Sequence, residues 1–82
     1  MISVYAIKSL KYKFRYVSIA KDLGDRLLRH NSGRSKSTKP YAPYELILRE
    51  EYADYEKARV REKFLKSGVG RKFLDDLENN SV

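Results

Sequence analysis

"ISVYAIKSLKYKFRYVSI", residues Ile2 to Ile19, holds two short runs of the residue types that favour β-strands. The first, "ISVYAIKS" (residues 2–9), is rich in β-branched and aromatic side chains. In the second, "YKFRYVSI" (residues 12–19), Tyr12, Phe14 and Tyr16 alternate with Lys13 and Arg15. That period of two puts the aromatics on one face and the cations on the other. Only Leu10 and Lys11 separate the runs, a gap short enough for a hairpin, although the Asn-Gly or Asp-Gly turn signal is missing. A two-residue turn there pairs positions whose numbers sum to 21, so Tyr5 is expected directly opposite Tyr16 on one face.

Working outward, "AKDLGDRLLRHN" reads as a helix that starts near Asp22, whose carboxylate can cap the exposed amides, and ends around Asn31, before Gly33. Leu23 and Leu27 give it an apolar stripe, flanked by Leu28. Gly24 within it costs ~1 kcal/mol relative to Ala. A Ser/Gly/Lys/Arg tract follows, without an apolar residue between Asn31 and Pro40. A core has no use for such a tract, which is expected to serve something outside the protein. Tyr44 to Tyr52 reads as a third strand. "ADYEKARVREKFLKSG" (residues 53–68) reads as a second helix, with Tyr55, Ala58, Arg61/Glu62 and Leu65 at helical spacing and Gly68 as its stop. "GRKFLDDLEN" (residues 70–79) reads as a short third helix, with Phe73, Leu74 and Leu77 facing inward. The expected fold is therefore α/β in the α+β sense: a small three-stranded antiparallel sheet flanked by helices, in the order β-β-α-β-α-α. Residues 1–82 are read as one domain.

Composition narrows the chemistry. There are no cysteines and one histidine, which excludes a disulfide framework, a Cys-based zinc site and a histidine cluster. A metal must then sit on carboxylate and substrate oxygens, which suits Mg²⁺ or Mn²⁺. Eighteen Lys and Arg against 11 Asp and Glu leave a net charge of +7, which draws polyanions, nucleic acid first among them. No apolar run approaches the ~20 residues of a membrane span, and the N-terminus lacks a signal-peptide pattern. A cytoplasmic location without membrane association is the expectation.

Several chemistry-bearing residues can converge. Tyr5 and Tyr16 share a sheet face, Arg26 follows ten positions later, and His30 lies four beyond Arg26 on the same helix face. Glu62, flanked by Arg59 and Lys66, is the best-placed carboxylate. Tyr5, Tyr16, Arg26 and Glu62 are expected to line one concave surface. Singly, each has an ordinary reading: cross-strand packing for the tyrosines, a solvated face for Arg26 and Arg29, helix-terminus electrostatics for His30, and an i,i+4 pair for Glu62 with Lys66.

As a set they resemble the GIY-YIG nuclease family. The signature triplets correspond to "SVY" (Ser3-Val4-Tyr5) and "YVS" (Tyr16-Val17-Ser18). "AKDLGDRLLRHNSG" is similar to the family helix that carries an Arg and then a His, here Arg26 and His30, and "KARVREKFLKSG" to the helix with the metal-binding glutamate, here Glu62. The likeness runs from residue 2 to about 75. "RHNSGRSKSTKPY" and "EKFLKSGVGRKFL" resemble the short, stand-alone bacterial branch, related to the N-terminal nuclease module of the excision repair incision subunit. Both signature glycines are serine here, Ser3 and Ser18. The family's late asparagine has no clear match, since Asn79 and Asn80 fall in a tail expected to fray.

The resemblance implies an endonuclease that hydrolyses DNA with one divalent cation, Mg²⁺ or Mn²⁺, in DNA repair or processing and with little sequence preference. Tyr5, Tyr16, Arg26 and His30 would be catalytic and Glu62 would hold the metal. Either tyrosine could be the base. Arg29, Arg34, Lys36, Lys39 and Lys66 are expected to contact phosphates, which gives affinity without base readout. A protein partner could target the enzyme to its DNA. With Ser18 in a signature glycine position, the alternative is a nucleic-acid-binding module of the same fold that cleaves weakly or not at all.

Overall fold

The structure, a computed structural model, describes residues 1–79. Its elements follow the expected order: strand β1 (Ile2–Ser9), strand β2 (Arg15–Ala20), helix α1 (Leu23–Asn31), strand β3 (Tyr44–Tyr52), helix α2 (Tyr55–Lys66) and helix α3 (Gly68–Asn79), with a 3₁₀ turn at Lys39–Tyr41 before β3. The sheet order is β2-β1-β3, and both pairings are antiparallel. The third strand therefore joins the far side of β1.

Central β1 is buried on both faces, which explains its nearly unbroken apolar run. Ile2, Val4 and Ala6 join Val17, Ala58, Leu65 and Leu74 in a core beneath α2 and α3. Tyr5 and Ile7 point the other way and pack with Ala20, Leu23 and Tyr44. An irregularity after Ala6 shifts the β1–β3 register: Ala6 pairs with Leu48, and Ile7 with Leu46.

The hairpin departs from expectation. Residues 10–14 form the connection, and β2 starts at Arg15 instead of residue 12. Ser9 holds this connection: its hydroxyl accepts the amides of Lys11 (3.1 Å) and Tyr12 (3.0 Å) and donates to the Tyr41 carbonyl (2.6 Å). Phe14 stacks on Tyr41 with ring centroids 4.2 Å apart. These interactions take Tyr12 and Phe14 out of the ladder. Paired numbers consequently sum to 23: Tyr5 faces Ser18, and Tyr16 faces Ile7. The slip is by two, so Tyr16 stays on the face that carries Tyr5.

Asp22 caps α1 through the Asp25 amide (3.0 Å), as its position implies. Gly33, at φ +78°, lets the chain leave the helix end in the left-handed region, where a Cβ is costly. Asp54 caps α2 in the same way. The helix ends one residue before Ser67, and Gly68 opens α3 where a stop was expected. Ser67 sits in extended backbone, and its hydroxyl accepts the Gly70 amide. A Cβ at Gly70 would lie 2.0 Å from the Phe64 carbonyl oxygen, so only glycine permits α3 to start so close to the end of α2.

One inward assignment is corrected: Phe73 lies near the surface with Phe64, under the Arg61 guanidinium (5.2 and 5.0 Å). Arg61 also forks onto Glu50, tying α2 to β3. Arg15 pairs with Asp75 and Glu78, and Lys8 with Glu78, which ties α3 to the hairpin. Asn79 completes α3, contrary to the expected frayed tail, and Asn80 lies outside the described residues.

Candidate active site

The site is built around His30. The last turn of α1 turns this imidazole inward, where it is 2% exposed. Its ring packs among Tyr5, Tyr16 and Tyr44, at centroid distances of 5.9, 5.3 and 6.1 Å. Both nitrogens are engaged: Nε2 lies 2.8 Å from the Tyr5 hydroxyl, and Nδ1 lies 2.8 Å from Thr38 Oγ1. Burial, and then the nearby Arg26 charge, push its pKa below the ordinary value and favour the neutral ring.

Tyr5 is fully buried beneath this ring. Burial raises its phenol to about 12, although the Arg26 charge opposes the shift. The nearby Arg26 guanidinium and Ser18 hydroxyl oppose that shift and favour the ionised form. Tyr5 is thus a neutral phenol near pH 7, and it does not line an open surface as expected. Tyr16, on edge strand β2, is only half-buried.

Arg26 is half-buried one turn before His30. With Arg29, Arg34 and Ser35 it lines an open hollow of about 460 Å³. Three guanidiniums around one hollow suit phosphate oxygens, which they meet with paired donors. Arg29 also pairs with Asp25 at 3.1 Å. Lys36 and Lys39 are exposed along the same tract.

The tract is not wholly external, as it was expected to be. Thr38 is completely buried. Its Oγ1 meets His30 and reaches the Ser35 carbonyl at 3.5 Å, while its own carbonyl accepts the Tyr44 hydroxyl at 2.6 Å. The Asn31 side chain accepts the Tyr44 amide at 2.7 Å. Thr38, Tyr44 and Ser18 are absent from the candidates chosen from sequence. The one β-branched residue in an otherwise polar run was the available signal for Thr38.

Of the two serines at signature glycine positions, Ser18 lies across the ladder from Tyr5, and buried Ser3 donates to Glu51 at 2.8 Å.

Glu62 lies on α2, whose Ala58 and Leu65 pack on the sheet face opposite Tyr5, and its carboxylate pairs with Lys66 at 3.2 Å. Lys66 in turn lines an open hollow with Phe14, Arg15 and Tyr16 at the β2 edge. Among the described residues, no three of His, Cys, Asp and Glu converge to hold a metal. With no cysteine, and with His30 committed at both nitrogens, the candidate donor is the Glu62 carboxylate, a hard oxygen ligand. That donor fits a divalent ion completed by water and phosphate oxygens.

A three-stranded antiparallel sheet whose central tyrosine meets a helix-borne His, with an Arg one turn earlier, defines a small α+β domain built around a polyanion-facing site. A family model described as the GIY-YIG catalytic domain matches residues 1–73. The chain belongs to the GIY-YIG family, a family of nucleases. No curated protein and no solved structure matches the chain significantly. Among the described residues, no helix is long and apolar enough to cross a membrane.

Proposed function

We propose that this chain is a metal-dependent endonuclease that hydrolyses DNA phosphodiester bonds with little sequence preference, acting in repair or processing. It belongs in this reading to the short, stand-alone bacterial branch of its family, works as one domain over residues 1–82, and is cytoplasmic, with a possible protein partner that targets it. The observation that carries the proposal is the Tyr5–His30 hydrogen bond of 2.8 Å beside Arg26. It joins a phenol of β1 to two side chains of α1, more than twenty positions further along the chain.

Cleavage needs a proton acceptor for water, charge relief at phosphorus and help for the leaving 3′ oxygen. Arg26 forks its donors onto phosphate oxygens and stabilises the charge that grows on them. Tyr16, reachable at the β2 edge, is the base in this reading, and it accepts a proton only as a phenolate. Tyr5, neutral and enclosed, positions Arg26 and takes no proton. His30 acts through Tyr5 and touches no substrate. Glu62 would hold the one divalent ion, Mg²⁺ or Mn²⁺, which when bound relieves phosphate charge and assists the leaving group. Arg29, Arg34, Lys36, Lys39 and Lys66 bind the sugar-phosphate backbone, which explains the lack of sequence preference.

The strongly protonated state of Tyr5 and the serine across from it favour a second reading, a module that binds nucleic acid and cuts weakly or not at all. Incubation with branched, flapped and plain duplex DNA, with and without Mg²⁺ or Mn²⁺, separates the two. Metal-dependent scission supports the nuclease; binding without scission supports the module.

A further inference from the structure

We infer that Thr38 is a positioning residue of the proposed site, acting through His30 on the Tyr5 hydroxyl. Its catalytic consequence rests on the nuclease reading; its hold on the imidazole does not.

The order of donors and acceptors follows from the protons. Thr38 Oγ1 donates to the Ser35 carbonyl, which can only accept, so toward His30 Nδ1, 2.8 Å away, Oγ1 accepts and Nδ1 carries the imidazole proton. A neutral imidazole with its proton on Nδ1 keeps a lone pair on Nε2. The single Tyr5 proton is then directed at that Nε2, 2.8 Å away. Every member is satisfied in one direction: Tyr5 to His30 to Thr38 to Ser35. This is the less common tautomer of a free neutral histidine, so something must enforce it. Thr38 is the group placed to do so, and its burial keeps water from substituting.

The consequence is geometric. With its proton committed to His30, Tyr5 turns its lone pairs toward the neighbouring Arg26 charge, which this arrangement helps to orient. Thr38 lies in the same tract as Arg34, Lys36 and Lys39, so the loop that would meet phosphates and the side chain that would stabilise charge share one anchor.

Thr38→Val keeps the shape and removes the acceptor; Thr38→Ser keeps the hydroxyl. Imidazole ¹⁵N shifts of His30 in the full chain should report Nδ1–H in wild type and Thr38→Ser, and loss of that tautomer in Thr38→Val. Cleavage turnover should fall about tenfold in Thr38→Val, the scale of one buried hydrogen bond, with KM for DNA within twofold, and recover in Thr38→Ser. An Nε2–H tautomer in wild type overturns the inference, as does a Thr38→Val protein with wild-type tautomer and turnover. If Thr38→Val does not fold, the wild-type tautomer and Thr38→Ser still decide. If no protein cleaves DNA, the nuclease reading fails, whereas a tautomer lost only in Thr38→Val still supports the hold on His30.

Discussion

Ser18 stands directly across the β1–β2 ladder from Tyr5, and its hydroxyl works to favour the ionised phenol. A serine where the family signature has glycine therefore puts a polar group beside the cluster. Ser18→Ala should lower stability by at most about 1 kcal/mol, the net worth of one side-chain hydrogen bond. Ser18→Gly should cost more, because glycine also loses more chain entropy in a strand. Urea denaturation of the three proteins checks the order; a Ser18→Gly protein more stable than wild type would contradict it.

His30 makes stability depend on pH. Its folded pKa lies below the ordinary 6.5 because of burial and then Arg26, so the unfolded chain binds the proton more readily. The stabilisation is fully present above pH 6.5 and is lost as pH falls through the folded pKa. Wild type should weaken between about pH 7.5 and 5.5 more steeply than His30→Gln, which has no proton to gain. Parallel slopes for the two proteins in urea titrations would remove His30 as the cause.

The strand and helix order was legible because the signals were local: β-branched runs, the Asp22 cap, and apolar residues at helical spacing. The hairpin register was not. It depends on Ser9 gathering amides of the connection and on Phe14 stacking against Tyr41, a residue far along the chain. Tyr5, Tyr16, Arg26 and His30 could be chosen as a set, and Tyr5, Tyr16 and His30 do meet, beside Arg26. The burial of Tyr5 could not be foreseen, because it is α1 folding over the sheet that encloses the phenol. Thr38 was hidden in a run whose composition looks solvated, and only the return of that run to β3 buries it. For Glu62, helical spacing gave no view of which sheet face α2 covers.

In the proposed function, the exposed cations of the tract set the salt dependence of DNA binding. Replacing Lys36 and Lys39 with Ala should weaken binding about equally for all sequences. The slope of log K against log salt should fall by roughly 0.9 for each phosphate that no longer has a lysine to neutralise it. Fluorescence anisotropy across a salt series measures this; an unchanged slope would make the two lysines bystanders.

The central claim is that a carboxylate outside the tyrosine cluster recruits a metal for strand scission. Glu62→Gln keeps shape and removes the charge. The most direct measurement is Mg²⁺- or Mn²⁺-dependent cleavage by wild type against Glu62→Gln, at folding matched by circular dichroism. The account predicts cleavage by wild type, background scission by Glu62→Gln, and DNA binding retained or improved in the variant. Equal cleavage by the two proteins would contradict it.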